Sequence, residues 1–195
     1  MPWQETLRTV LEFTYDTLEK EGLAWAVVGS TATALQGCRL TPHGLNLLVR
    51  EPDSVYRCAE LFAPFVVTPA RAFTEWGDYW HTAGFLFDGA PAGVAHITNP
   101  KGRDFYGGIV WECGPALWSH LRRVAFAGDS VPVVPLEFQV GTNLDRGRTK
   151  HGEDCMGRVR EIARVFRANG YDRALLEWAL SPDHLARFDE VMRTQ

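Results

Sequence analysis

The chain has 195 residues, of which 46% are hydrophobic and 23% are charged. This length is sufficient for one well-packed core and short for two independent domains, so it predicts one globular body. The net charge of -4 and the pI near 5.9 offer no general attraction to polyanions, which argues against a nucleic-acid partner. No apolar run approaches the roughly 20 residues of a membrane span, and we predict a cytoplasmic protein with no membrane partner.

The cysteines and histidines are dispersed along the chain. Its four cysteines form no C-x-x-C pair, which favours free thiols in a reducing compartment. Its six histidines show none of the spacings typical of zinc ligands. The sequence therefore contains no recognisable zinc site.

Helices and strands alternate in the first part of the chain. An amphipathic helix is predicted over Pro2–Glu21, and it leads into a buried strand, Leu23–Val28. A tight Gly29-Ser30 turn, a short helix over Thr31–Gln36 and a second apolar strand, Leu45–Val49, follow. We expect the rest of the chain to pack around this unit in an α/β (α+β) fold with helices covering the sheet.

The middle of the chain favours a helix followed by a hairpin. Pro52 begins a helix that extends to about Phe62. Phe85–Phe87 and Val94–Thr98 have strand composition and are separated by turn-forming residues at 89–93, which predicts an antiparallel hairpin.

The later elements are shorter. Ile109–Glu112 is predicted as an edge strand and Pro115–Arg123 as a short helix. Val131–Val134 is predicted as a strand limited by Pro132 and Pro135, which favours an edge or strand-end position. From Leu136 onward all predicted elements are helical.

Short motifs mark the unit formed by the first two strands. Gly29-Ser30 follows the first strand, Arg39 and Thr41 lie in the loop, and Gly44-Leu45-Asn46 begins the second strand. This order resembles the DNA polymerase β-like nucleotidyltransferase superfamily, in particular its small bacterial members. Those proteins have Gly-Gly or Gly-Ser after a strand, a short helix, and then an R-x-T-x-x-D-h-D strand in which h is apolar.

The resemblance extends over roughly residues 1–170. Pro135-Leu136-Glu137 and Arg148-x-Lys150 resemble the later helix of these proteins and the basic residue that often follows it. The resemblance implies a mixed, twisted sheet of about five strands with flanking helices. It also implies a nucleotidyltransferase-like domain over residues 1–150 and a C-terminal helical segment, residues 151–195, packed on it.

The acidic positions of this superfamily are the ones that differ here. Nucleotidyl transfer uses Mg²⁺, which prefers anionic oxygen ligands. In this superfamily the ion is bound by two aspartates that lie two positions apart on one side of a strand. Gly44 and Asn46 take these two positions, and the third acid falls near Ala95-His96, where no carboxylate occurs. The resemblance therefore implies a degenerate protein without a metal site, and Mg²⁺ is expected only if the chain is an active transferase.

An active enzyme would need carboxylates from elsewhere in the chain. No Asp or Glu occurs between Glu21 and Glu51, so a small change of alignment does not restore the pair. Asp88, Asp104 and Glu112 are acids that other strands or loops could supply.

The binding half of the site is still present in the sequence. The candidate ligand- or phosphate-binding residues are Gly29, Ser30, Arg39, Thr41, His43, Arg148 and Lys150. Glycine lets a phosphate approach the backbone, and the start of a helix favours anions, although the same turn could serve only the fold. The loop residues could hold a phosphate or brace the loop, and the two histidines, His43 and His96, could flank the cleft or be structural. Glu137 could line this cleft together with Arg148 and Lys150. Alternatively, all three could be exposed residues that form ordinary helical salt bridges.

The predicted function is that of a catalytically degenerate nucleotidyltransferase-fold protein. It would bind a nucleotide, a phosphorylated small molecule or a protein partner, including a second copy of itself. One alternative is an active enzyme that transfers a nucleoside monophosphate to a small molecule, RNA or protein. Another is an antitoxin-like interaction module, whose contact surface would be the aromatic group Trp76, Tyr79, Trp80 and Trp111.

Overall fold

The computed structural model describes residues 2–42, 44–75, 78–98, 105–106, 109–145, 149–150 and 153–194. The α-helices in this part of the chain are α1 (Trp3–Lys20), α2 (Gly29–Leu35), α3 (Pro52–Leu61), α4 (Leu136–Asp145), α5 (Cys155–Asn169), α6 (Arg173–Ala179) and α7 (Pro182–Thr194). Short 3₁₀ helices cover Ala63–Phe65 and Pro115–Ser119.

The described strands are β1 (Trp25–Val28), β2 (Leu45–Val49), β3 (Val66–Glu75), β4 (Asp78–Phe87), β5 (Ala90–Thr98), β6 (Phe105–Tyr106), β7 (Ile109–Val110), β8 (Arg122–Phe126), β9 (Asp129–Val133), β10 (Thr149–Lys150) and β11 (Glu153–Asp154). Seven of them form one sheet in the order β3-β4-β5-β2-β1-β9-β8. β1 is antiparallel to β2 and parallel to β9, and β2 is parallel to β5. The predicted mixed α/β class is confirmed, with seven strands in the main sheet instead of about five.

Apolar periodicity explains which face of the sheet is covered. The buried residues Leu7, Val10 and Leu11 of α1 recur at helical spacing and join the core formed by the sheet. α3 packs against β4 and β5 on the same side, through Val55 and Cys58. A second apolar cluster joins α4, α5 and α7.

Three strand predictions differ from the structure. β3 was not predicted, because its residues are partly or fully exposed on both faces and show no apolar alternation. Arg122–Phe126, predicted in part as the end of a helix, forms a strand instead. β9 lies between β1 and β8, so it is not at an edge of the sheet. It pairs with β1 only at Val133, near its end, so Pro132 lies before the residue at which β9 pairs on both sides.

The hairpin predicted in the middle of the chain is present. β4 and β5 pair antiparallel, but they are longer than predicted, and the turn consists of Asp88 and Gly89. Both turn residues have positive φ, 47° and 82°, which suits a tight Asp-Gly turn. Another difference is the short pair β10–β11, which lies where only helix is predicted.

The cysteines agree with the prediction of free thiols. None of the four takes part in a disulfide bond. Burial raises the pKa of both Cys38 and Cys58 to about 12, so these thiols are poor nucleophiles. No helix among the described residues is both long and apolar enough to cross a membrane.

Candidate functional site

The structure brings the Gly29-Ser30 turn next to the start of β2. Val28, the last residue of β1, is paired with Asn46, so the turn that follows it adjoins Asn46. Gly29 has a φ of 66°, a left-handed conformation that favours glycine. Thr31 Oγ1 donates a hydrogen bond of 3.0 Å to the carbonyl oxygen of Gly44, which fixes α2 against this loop.

Asn46 is exposed between two buried leucines of β2, Leu45 and Leu47. Its neighbour on β5 is Gly93. A Cβ atom added at Gly93 would lie 2.8 Å from Asn46 Oδ1, so the glycine leaves room for the amide. Gly44, two positions earlier in the sequence, is also exposed. The two positions at which the resemblance implies acids therefore present a neutral amide and no side chain.

The pair Ala95-His96, near which the resemblance implies a third acid, lies on β5, next to the strand that carries Asn46. The register pairs Asn46 with Gly93 and Leu48 with Ala95, so the side of β5 next to Asn46 presents Gly93 and Ala95. Neither residue offers a metal ligand. His96, the other residue proposed for this position, faces the opposite side of the sheet because neighbouring residues of a strand alternate.

His96 has structural partners on its own side of the sheet. Its Nδ1 lies 3.1 Å from the carbonyl oxygen of Val49, and its Nε2 lies 2.6 Å from Thr98 Oγ1. Because a carbonyl oxygen only accepts, Nδ1 carries the proton and Nε2 of the neutral ring accepts from the threonine hydroxyl. Burial lowers the pKa of His96, and the bond to Val49 opposes this shift in part. The structure does not bring His96 to the Asn46 site.

The lowered pKa predicts a specific pH dependence of stability. An unfolded histidine binds a proton near pH 6.5, whereas folded His96 does so only at lower pH. The free energy of unfolding should therefore fall as the pH drops from above 6.5 through the lowered pKa of His96. His96→Asn keeps a donor for Val49 and removes the titration, so urea unfolding should show that the variant loses less stability over this range than the wild type. An equal loss in both proteins would contradict this assignment.

The loop that carries Arg39 and Thr41 is tied to α5. The Arg39 backbone N–H donates to Glu161 Oε2 at 2.8 Å, and Arg164 donates to the same oxygen at 3.0 Å. Arg164 also donates to the carbonyl oxygen of Gly37 at 2.7 Å. Burial raises the pKa of Glu161, but these hydrogen bonds and the positive charges of Arg164 and Arg39 together lower it by more, so the pKa lies below its usual value. The backbone thus braces the loop, while the side chains of Arg39 and Thr41 are exposed.

Several predicted residues are not at the Asn46 site or lie outside the described residues. His43, Arg148, Trp76 and Asp104 lie outside the described residues, and Lys150 is described only as part of the backbone of β10. Asp88 occupies the β4–β5 turn, and Glu112 is buried after β7. Within the described ranges, no group of three or more His, Cys, Asp or Glu side chains could hold a metal ion.

The start of α4 contributes residues that sequence reasoning did not place. The Val134 N–H donates to Val27 O at 3.2 Å, so α4 begins beside the end of β1. Glu137 is fully buried, and its Oε1 accepts hydrogen bonds from Arg122 at 2.7 Å and from the Asp172 N–H at 3.1 Å. The exposed setting considered for Glu137 is therefore wrong. Gln139, Thr142 and Asn143 are also buried. In the sequence, the sign that they share one side of the helix is that Thr142 and Asn143 follow Gln139 by three and four residues within an apolar segment.

A cavity of about 230 Å³ adjoins the start of β2. The residues that line it include Trp3, Thr31, Gly44, Leu45 and Gly89. A second cavity, of about 250 Å³, lies beside His96 at the opposite ends of β2 and β5. The first cavity shares Gly44 with the Asn46 site, but Gly29, Ser30 and Asn46 themselves do not line it.

Comparison with known proteins supports the fold. No protein-family model and no curated protein matches the chain. A crystal structure of a putative nucleotidyltransferase from Thermotoga maritima is similar, with a TM-score of 0.60 and 26% sequence identity. The match covers 76% of this chain and 88% of the Thermotoga chain. The chain described here therefore has a nucleotidyltransferase-like fold.

Proposed function

We propose that this protein binds a nucleotide or a phosphorylated small molecule at the Gly29-Ser30 turn and does not catalyse nucleotidyl transfer. The observation that carries the proposal is the position of Asn46. It is exposed between Val28 and Gly93 on neighbouring strands. The resemblance to the nucleotidyltransferase superfamily implies a metal-binding carboxylate at this position. The neutral amide of Asn46 and the hydroxyl of Ser30 do not form the anionic oxygen set that Mg²⁺ prefers, so the described residues do not fit a catalytic metal.

The loss of the acids also changes what can bind without a metal. Carboxylates repel phosphate oxygens unless a cation lies between them, because like charges at short range oppose each other. At Asn46 that repulsion is absent. An amide N–H₂ and a serine hydroxyl can donate hydrogen bonds to phosphate or sugar oxygens directly. The exposed guanidinium of Arg39 could add a charge-assisted contact at the entrance of the site.

Thermal unfolding with each of ATP, GTP, CTP and UTP tests this proposal. In EDTA, at least one of them should stabilise the protein, since a ligand at 100 times its dissociation constant adds about 2.7 kcal/mol. Asn46→Asp is the matched variant, because it preserves shape and adds a negative charge. It should weaken binding in EDTA by about tenfold, which corresponds to about 1.4 kcal/mol. The absence of any shift with all four nucleotides would contradict the proposal.

A further inference from the structure

The strand β3 forms one edge of the main sheet. It pairs with β4 on one side, and no described strand pairs with its other side. Its first part is irregular, with shifts of register between Val66 and Thr68 and between Thr68 and Arg71. From Arg71 to Glu75, here called the edge segment, every residue pairs with β4 without a shift. The edge segment therefore offers a regular row of backbone N–H and C=O groups to a further strand.

The edge segment lacks most of the features that protect a free strand. Natural proteins protect such strands with prolines, bulges and charged side chains, because an open edge otherwise pairs with other chains. In β3 the proline, Pro69, and the shifts of register all lie before the edge segment. The edge segment itself carries two charged residues, Arg71 and Glu75, and both are exposed. Because these charges have opposite signs, they oppose a further strand in some registers and favour it in others.

The two charges have no ionic partner among the described residues. Neither Arg71 nor Glu75 forms a salt bridge within this part of the chain. The guanidinium carbon of Arg71 lies 5.3 Å from the centre of the Phe73 ring, which stacks on the ring of Trp80 at 6.2 Å. Side chains two residues apart on a strand share a face, so Arg71, Phe73 and Glu75 lie in a row on one face of the sheet.

A second copy of the edge segment matches this row in one antiparallel register. When the two Phe73 residues lie opposite each other, Arg71 of each copy lies opposite Glu75 of the other, with all three pairs on one face. A register centred on Arg71 or on Glu75 places like charges opposite each other, which is unfavourable. A register centred on Ala72 or Thr74 leaves both charges without an oppositely charged residue across the strand pair. The edge segment is therefore self-complementary in the register centred on Phe73.

We infer that the protein forms a symmetric dimer in which the edge segments of two copies pair antiparallel, centred on Phe73. The twofold axis is perpendicular to the strands and to the sheet, so the two main sheets join into one continuous sheet. The ion pair between Arg71 and Glu75 occurs twice, because a twofold axis repeats each contact. Backbone hydrogen bonds between the strands supply the affinity, and the charges fix the register. This inference does not depend on the proposed nucleotide binding.

Reversal of the charges at the two positions tests the inference. Sedimentation velocity of the wild type should show a dimer with twice the chain mass of 21.9 kDa. Arg71→Glu places carboxylates opposite each other, and Glu75→Arg places guanidinium groups opposite each other. Each variant alone should therefore have a dimer dissociation constant roughly tenfold or more above that of the wild type. An equal mixture of the two variants should recover the dimer, because every introduced charge then lies opposite its counterpart.

Two further variants serve as controls. Arg71→Glu/Glu75→Arg exchanges the two charges within each copy and should dimerise like the wild type. Arg8→Glu makes the same change of charge at an exposed residue of α1, which lies beside Asp129 of β9, towards the opposite end of the sheet from β3. It should leave the dissociation constant of the dimer unchanged. Thermal unfolding of each variant verifies that it is folded.

Three results would overturn the inference. The first is a wild type that remains monomeric at about 100 µM, since the edge segments would then pair too weakly to form a dimer. The second is a dimer that both single variants retain, because the copies would then meet at another surface. The third is a mixture of the folded single variants that stays monomeric. Should one single variant fail to fold, the other single variant and the exchanged double variant decide in the same way.

Discussion

The triple variant Gly44→Asp/Asn46→Asp/Ala95→Asp is expected to bind nucleoside triphosphates at least tenfold more tightly with Mg²⁺ than with EDTA. Positions 44 and 46 are two residues apart at the start of β2, and Ala95 shares the face of Asn46 on β5. A Cβ atom at Gly44 meets nothing within 4 Å, so an aspartate fits there. Three carboxylates would supply the anionic oxygens that Mg²⁺ prefers and would repel phosphate without it. Isothermal titration calorimetry in both buffers measures the ratio.

A variant with asparagine at the same three positions controls for size. Gly44→Asn/Ala95→Asn retains the natural Asn46 and adds no charge, so its affinity should not depend on Mg²⁺. The triple aspartate variant should also be less stable in EDTA than this control, because its three carboxylates repel one another. If the aspartate variant bound nucleotides with the same affinity in Mg²⁺ and EDTA, the assignment of these positions as the former metal platform would be wrong.

Arg122→Met is expected to lower the free energy of unfolding by about 3 kcal/mol. Its guanidinium donates at 2.7 Å to Glu137, whose side chain is 0% exposed, whereas the Arg122 side chain is 46% exposed. Removal of the arginine leaves a carboxylate buried without its cation, and that penalty exceeds the value of an exposed ion pair. Urea unfolding at neutral pH measures the loss.

The double variant Arg122→Met/Glu137→Gln distinguishes this cause from a general loss of packing. Glutamine at position 137 keeps an oxygen that can accept from the Asp172 N–H and removes the unpaired charge. The double variant should therefore recover at least half of the stability lost by Arg122→Met. A double variant less stable than Arg122→Met would show that the buried charge is not the reason.

The first two strands and their turn were predictable because every local signal agrees. β1 and β2 are short apolar runs, Gly29 marks the turn between strand and helix, and α1 shows clear apolar periodicity. β3 could not be predicted because it is exposed on both faces, so burial imposes no pattern on its sequence. β8 was missed for a related reason: its two arginines, Arg122 and Arg123, occur where a helix end commonly has basic residues.

The candidate site was predictable only in part. Motif order located Gly29, Ser30, Gly44 and Asn46 together, and the structure places them at one end of β1 and β2. Motif order could not decide whether Ala95 or His96 shares a face with Asn46, because a shift of one residue along a strand moves the side chain to the opposite face. The burial of Gln139, Thr142 and Asn143 on α4 also escaped prediction, since polar residues in a helix suggest an exposed side until the neighbouring elements are known.

Calorimetric titration of the wild-type protein with ATP, GTP, CTP and UTP, in Mg²⁺ and in EDTA, distinguishes metal-independent binding from catalysis. At least one nucleotide should bind, and its dissociation constant should differ by less than about threefold between the two buffers. The nucleotide should remain intact, with no pyrophosphate in the cell after the titration in Mg²⁺. Binding that requires Mg²⁺, accompanied by release of pyrophosphate, would instead identify the protein as an active nucleotidyltransferase.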